Sequence, residues 1–230
     1  MTEPGVWSRK HLQYEFQQAE LLAMALTHRS RSDANNERLE FLGDAVLGLV
    51  IADELQKALP DSDEGSLSRQ RAALVRKETL ADISVGAELG EVMLLGSGEA
   101  RSGGHQRASI LADGMEAIFG AVYLDGGFDA ATRVILQLYG ERLEKLPDSE
   151  ELKDPKTRLQ EALQSAGHAV PVYNAESEEG PPHARKFVCM CMISELNIST
   201  TGNGSSRQKA EQAAAAEALN ILNNDKSGSP

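Results

Sequence analysis

The chain has 230 residues and carries 35 Asp and Glu against 23 Lys and Arg, so its formal net charge is −12 and its pI is near 4.9. Hydrophobic residues make up 41%, enough for an ordinary core, which argues against an intrinsically disordered chain. The length allows one or two domains. The acidic balance argues at first against a nucleic-acid partner, because binding to a duplex normally requires a basic surface.

Membrane and secreted proteins are further classes that the sequence disfavours. The longest apolar run, 45–52, is far short of the roughly 20 residues that span a bilayer, and residues 1–17 lack the apolar segment of a signal peptide. Cys189 and Cys191 are too few for a zinc site, so we expect reduced, partly buried thiols. The sequence therefore predicts a cytoplasmic protein with no membrane association.

Residues 1–146 are predicted to form a mostly helical unit, because apolar residues recur at helical spacing and long β-branched alternations are absent. Clusters of Asn, Gly, Ser and Pro at 30–36, 60–66 and 96–104 mark its turns. Residues 147–154 are polar and acidic, and we expect them to form a linker.

Residues 155–222 show a different pattern, which predicts a second domain. A favourable helix start at 154–155 and an alanine-rich helix ending near Leu222 enclose three predicted strands. The strands are expected at 170–176, 186–193 and 196–201, followed by a turn at 202–204. Residues 223–230 are predicted to be a disordered tail.

The helix predicted to begin near Asn36 carries an acidic edge. Glu37, Glu40 and Asp44 share a stripe about 60° wide when successive residues are placed ~100° apart. The apolar residues predicted on the opposite side are Leu39, Leu42, Val46, Leu49 and Val50. The pattern therefore predicts a core helix with three carboxylates along one edge.

The segment 109–118 repeats this design with Asp113 and Glu116 one turn apart. Gly120 continues the edge without a side chain, so a second backbone is expected to approach there. Like charges at this spacing cost about 0.2–0.5 kcal/mol per pair, and their repetition on two helices indicates a bound cation. Mg²⁺ or Mn²⁺ prefers such carboxylate oxygens, and two ions would stabilise the attacking and leaving oxygens of a phosphodiester displacement.

A solvated acidic face is the alternative to a metal site. A carboxylate di-iron centre is not expected, because no Glu-x-x-His occurs in the chain.

Five segments resemble the ribonuclease III family of double-stranded-RNA endonucleases. Residues 36–44, Asn-Glu-Arg-Leu-Glu-Phe-Leu-Gly-Asp, resemble its signature, and 110–117, Ile-Leu-Ala-Asp-Gly-Met-Glu-Ala, resemble its second acidic motif. The order and spacing of 153–161, the Gly-Pro-Pro-His loop at 180–183 and Gly-Ser-Ser-Arg-Gln-Lys-Ala at 204–210 resemble its double-stranded-RNA-binding domain.

The resemblance covers about residues 6–222 and implies a fold with α and α+β parts. An all-helical nuclease and dimerisation domain over 1–146 is expected to precede an α-β-β-β-α double-stranded-RNA-binding domain over 155–222. The implied metal-ligating carboxylates, of which Asp44 and Glu116 are also catalytic and Glu116 is the most critical, are Glu40, Asp44, Asp113 and Glu116.

Three further residues of the nuclease half receive a role from the resemblance. Glu37 and Glu64 match auxiliary catalytic acids near the scissile phosphate. Phe41 matches a residue that packs into the partner subunit of a homodimer, and peripheral packing in the chain's own core is the alternative for it.

The resemblance also implies RNA contacts in the C-terminal half. Thr157, Gln160 and Glu161 would meet 2′-hydroxyls of one minor groove, His183 would enter the next, and Arg207 and Lys209 would touch phosphates between them. Gln208 and Glu211 depart from a pattern in which basic residues are frequent.

The implied activity is Mg²⁺-dependent hydrolysis of double-stranded RNA to 5′-phosphate and 3′-hydroxyl ends, with Mn²⁺ expected to substitute. Each subunit of a homodimer would cut one strand, in the processing of ribosomal RNA precursors and other structured transcripts, without a small-molecule cofactor. The residues alone leave two alternatives: a non-catalytic RNA-binding protein and a Mg²⁺-dependent nucleotide hydrolase. The C-terminal domain argues against the hydrolase.

The acidic excess is concentrated in one half of the chain. Residues 1–154 carry 27 acids and 16 bases, whereas residues 155–222 carry 7 acids and 6 bases. Net charge therefore does not exclude an RNA partner, and the location of the acids indicates contact with phosphate through metal ions.

Overall fold

The computed structural model describes residues 3–179 and 185–227. It divides into two compact units, Met1–Pro147 and Asp148–Pro230, and the division falls at the start of the predicted linker.

The first unit is all-helical within its described residues, as predicted. Its helices are α1 (Pro4–His11), α2 (Ala19–Ala25), α3 (Glu37–Ala58), α4 (Glu64–Val75), α5 (Lys77–Gly86), α6 (Ser97–Arg101) and α7 (Ala108–Glu144). Helix α7 bends at Gly127, whose φ of 78° lies outside the helical region and favours a residue without a Cβ atom. One hydrophobic core runs from Trp7 to Tyr139 and packs mainly between α3, α5 and α7.

Two glycines let the backbones of α3 and α7 touch. A methyl group at Gly43 would overlap the carbonyl oxygen of Glu116, and one at Gly120 would overlap the carbonyl oxygen of Leu39. The prediction that a second backbone approaches Gly120 is therefore confirmed, and that backbone belongs to α3.

The second unit has the predicted order of helix, three strands and helix. Its elements are α8 (Pro155–Ser165), β1 (Val172–Glu179), β2 (Lys186–Ile193), β3 (Ile198–Gly204) and α9 (Arg207–Ser227). The strands form an antiparallel sheet in the order β1-β2-β3, and α9 packs against β2, β3 and α8. Cys189 and Cys191 are free, and both are fully buried on one side of β2, more deeply than the partial burial predicted for them.

The segment predicted as a turn at 202–204 belongs to β3, where Gly204 pairs with Phe187 of β2. The glycines serve close packing and not a turn, because a methyl group at Gly202 would overlap the backbone of α9 at Ala210. Glycine is typical both of turns and of strand positions where another backbone comes close, so the sequence alone does not distinguish the two.

Helix α9 continues to Ser227, so the prediction of a disordered tail does not hold for residues 223–227. No Pro or Gly follows Leu222 until Gly228, so no residue that ends a helix interrupts this stretch. Residues 228–230 lie outside the described residues. None of the described helices combines the length and apolar character needed to cross a bilayer.

Replacing Gly120 with Ala is expected to lower the free energy of unfolding by about 2 kcal/mol or more, because the added methyl forces α3 and α7 apart. Gly140→Ala is the matched control on the same helix. No atom beyond the neighbouring backbone of its own helix would lie within 4 Å of its methyl, so it should leave stability unchanged or raise it by up to about 1 kcal/mol. Urea unfolding followed by circular dichroism compares the two, and equal effects would contradict the role of the helix crossing.

Candidate metal centre and RNA-binding surface

The crossing of α3 and α7 brings both predicted acidic edges together. Glu40 of α3 and Asp113 and Glu116 of α7 each offer a carboxylate oxygen, and these oxygens all lie within 4.8 Å of one another. Glu116 is buried, with 8% of its surface exposed. Three converging oxygen donors of this kind can hold a divalent cation.

Burial and mutual repulsion raise the pKa values of two carboxyl groups in the cluster. Burial raises the pKa of Glu116 to about 7, and the charges of Asp44, Glu40 and Asp113 act in the same direction. Burial and the charge of Asp113 also raise the pKa of Glu40. Asp44 is exposed and does not belong to the group of three. Its negative charge nevertheless contributes to the raised pKa of Glu116, so it lies near the cluster. Adjacent carboxylates of this kind are stabilised when a cation compensates their charge.

Lys77 is a member of this site that sequence reasoning missed. It is the first residue of α5, and its Nζ lies 2.8 Å from Oδ1 of Asp113. It is 36 residues from its partner in sequence, and no local pattern links the two.

A groove of about 350 Å³ adjoins the cluster and contains one more predicted acid. Glu37 lines it together with Glu40 and Asp113, and it is paired with Arg29 at 3.5 Å. Arg107 lines the same groove and pairs with Glu99. The two arginines, which the sequence analysis did not single out, give the groove a basic side next to its acidic one.

Glu64 is not brought to the cluster within one chain. It begins α4, accepts a hydrogen bond from the Ser68 hydroxyl at 2.7 Å and lines a separate cavity with Ala52 and Leu55. Those two residues follow Glu40 on α3 by 12 and 15 positions, or about 18–22 Å along the helix axis.

Phe41 stands on an exposed apolar face of α3. Its side chain is 82% exposed, so the alternative of packing in the chain's own core is wrong. Ala45 and Leu49 continue the face at intervals of four residues, and both are exposed. Leu49, predicted on the core side, is 58% exposed, because the buried side of α3 is rotated towards Leu47 and Ile51.

The predicted contacts on α8 have mixed surroundings. The Thr157 hydroxyl donates a hydrogen bond to Asp154 at 2.8 Å, in the cap of the helix, whereas Gln160 is exposed. Glu161 forms an ion pair with Lys153 at 2.6 Å. His183 lies outside the described residues.

The start of α9 presents Arg207 and Lys209 to solvent, and the backbone N–H of Lys209 donates to the Ser206 hydroxyl, which caps the helix. Glu211 lies between two cations and pairs with Lys156 of α8 at 2.6 Å and with Arg207 at 2.9 Å. Hydrogen bonds from Lys156 and Arg207 hold the pKa of Glu211 below its ordinary value. Lys156, which the sequence analysis missed, therefore shares one carboxylate with Arg207.

Two protein-family models match the chain. One, described as Ribonuclease-III-like, matches residues 18–143, and the other, described as Double-stranded RNA binding motif, matches residues 155–222. Proteins named Ribonuclease 3 from Alkalilimnicola ehrlichii and Photobacterium profundum are 51% and 49% identical to the chain. Each alignment covers 96% of the chain, and 97% and 99% of the respective relative.

The chain belongs to the ribonuclease III family. It is therefore an endoribonuclease that cleaves double-stranded RNA.

Solved structures of ribonuclease III agree with this assignment. The nuclease domain of the Campylobacter jejuni enzyme is 40% identical with a TM-score of 0.60, and the match covers 64% of this chain and all of that one. A second structure of that domain, described for flexibility in a region involved in dimer formation, is 42% identical with a TM-score of 0.59. It covers 60% of this chain and 98% of its own. The family assignment confirms the predicted fold class and decides against the nucleotide hydrolase and the non-catalytic binding protein.

Replacing Glu211 with Gln is expected to tighten binding to an RNA duplex about three- to tenfold and to steepen its salt dependence, because Lys156 and Arg207 become free for phosphates. Glu217→Gln is the control, since it removes the same charge from an exposed position of α9. Fluorescence anisotropy at several salt concentrations, without divalent ions, measures both. An effect no larger than that of the control would show that Glu211 does not restrain the two cations.

Proposed function

We propose that this endoribonuclease depends on Mg²⁺ and acts as a homodimer in which each subunit cuts one strand of the duplex. The cluster of Glu40, Asp113 and Glu116 carries the proposal, because it lies beside an open groove in a chain that also has an RNA-binding motif. The products are expected to carry 5′-phosphate and 3′-hydroxyl ends.

The donor set of the cluster fits a hard divalent cation, since its members are all carboxylates. We assign Glu40, Asp113 and Glu116 as ligands, and Asp44 as a fourth carboxylate whose charge already acts on Glu116. Mg²⁺ bound there would supply Lewis-acid stabilisation of the charge on the phosphate, as expected of two-metal phosphodiester hydrolysis, and Mn²⁺ is expected to substitute.

The protein's own groups have distinct proposed tasks in this reaction. Glu116, whose pKa is raised to about 7, would hold a cation as the carboxylate and would lose its proton to solvent when the cation binds. Arg29 and Arg107 bring positive charge to the groove for the phosphate oxygens, and Glu37 shares that groove as an auxiliary acid.

The exposed apolar face of α3 supports the homodimer. Phe41, Ala45 and Leu49 leave an unburied helix face beside the acidic edge, and Phe41 is proposed to pack into a second copy. Glu64, which is remote from the cluster of its own chain, is proposed to act at the site of that copy.

The second unit is proposed to position the duplex through one set of contacts. These are Thr157, Gln160, Glu161 and His183 in the minor grooves and Arg207 and Lys209 at phosphates. The proposed substrates are ribosomal RNA precursors and other structured messenger and transfer RNA transcripts in the cytoplasm.

Wild-type protein is expected to cut a long RNA duplex only with a divalent cation, and Glu116→Gln should slow cutting by about 10²-fold or more, since a lost ligand removes several kcal/mol of charge stabilisation. The Mg²⁺ concentration for half-maximal cutting should rise as the pH falls below about 7, because Glu116 is then protonated. Gel analysis of end-labelled RNA measures rates and product ends.

Glu20→Gln, an exposed change on α2, is the control for these rates and should cut like wild type. Glu116→Gln should still bind the duplex without divalent ions. Cutting in the presence of a chelator, or full activity of Glu116→Gln, would sink the proposed metal mechanism.

Replacing Phe41 with Glu is expected to convert the dimer to monomer, because a charge would replace the most exposed large side chain of the apolar face. Val85→Glu, which also changes an exposed apolar residue but lies on α5, should leave the dimer intact. Sedimentation equilibrium gives the mass of each variant. A monomeric wild type, or a dimeric Phe41→Glu, would refute this interface.

A further inference from the structure

The packing of α5 places Lys77 beside the acidic cluster, although its own side chain is 61% exposed. Leu80 and Ile83 of α5 are buried. The hydroxyl of Ser84, also buried, lies within hydrogen-bond distance of two carbonyls, that of Leu80 in its own helix at 2.7 Å and that of Leu111 of α7 at 2.9 Å. The helix that begins at Lys77 is thereby fixed on the helix that carries Asp113, and its first side chain reaches the cluster.

The ammonium group of Lys77 interacts with the whole cluster. Its hydrogen bond to Asp113, together with the charges of Asp113, Glu116 and Glu40, raises the pKa of Lys77. In return, Lys77 counteracts the rise in the pKa of Glu116. The two arginines of the adjoining groove pair instead with Glu37 and Glu99. Lys77 therefore offers positive charge to the same carboxylates that a divalent cation would use.

We propose that Lys77 is a built-in competitor of the divalent cation. In the metal-free protein it pairs with Asp113 and relieves the repulsion among the cluster carboxylates. When a cation binds, the positive charge of Lys77 lies next to it and weakens its binding. The inference rests on the proposed metal site and adds that a residue of α5 sets the metal affinity of that site.

If Lys77 competes with the cation, Lys77→Gln should lower the stability of the metal-free protein and raise its affinity for the metal. The metal-free protein should melt at a lower temperature, because the carboxylates lose their compensating charge. Affinity for Mn²⁺ and Mg²⁺ should rise about three- to tenfold, because a neighbouring positive charge is removed. Lys77→Arg keeps the charge and should resemble wild type in both measurements.

Lys57→Gln is the matched control. The side chain of Lys57 is 61% exposed, like that of Lys77, and pairs with Asp53 at 2.7 Å on α3, two turns or more from the cluster. Its replacement removes the same charge and a similar ion pair, so a general effect of net charge would appear in both variants.

The experiment is calorimetric titration of Mn²⁺ and Mg²⁺ into the full chain without RNA, with melting curves in the presence of a chelator. Tighter metal binding and lower metal-free stability in Lys77→Gln alone are the expected result. Unchanged or weaker binding in Lys77→Gln would overturn the competition and indicate that Lys77 only positions Asp113. If wild type binds neither ion, the metal site itself fails, and the proposal fails with it.

Discussion

Backbone contact between α3 and α7 is the constraint on which the candidate site depends. Gly43 and Gly120 each face a carbonyl of the other helix, and one of those carbonyls belongs to Glu116. Side chains on the two helices can share a small volume only when the axes lie this close. The same contact that closes the core therefore sets the distance between Glu40 and Glu116.

The sequence predicted what depends on local spacing. The acidic edges of α3 and α7, the role of Gly120 and the order of elements in the second unit all follow from periodicity and turn residues. It did not predict the contribution of Lys77, because α5 reaches Asp113 only through tertiary packing. The burial of Leu49 was also predicted wrongly. Helix α3 has apolar residues on more than one side, and the sequence does not show which of these sides packs into the core.

Both candidate functional surfaces carry groups that partly neutralise them. In the first unit, Lys77 forms an ion pair with a carboxylate of the cluster. In the second unit, Glu211 forms ion pairs with Lys156 and Arg207. A ligand must compete with these pairs, so affinity reflects the difference between two sets of contacts. The overall charge of −12 is a poor guide to the partner, because its acidic excess lies in residues 1–154 and not in the RNA-binding half.

Helix α3 uses three of its sides for different purposes. One side is buried against α7, the next carries Glu40 and Asp44, and the third exposes Phe41 and Leu49. Few positions between 37 and 51 are then free to change without affecting core, carboxylates or exposed face. A substitution in this stretch therefore disturbs the core, the carboxylates or the exposed face, and a change that suits one of these sides does nothing for the other two.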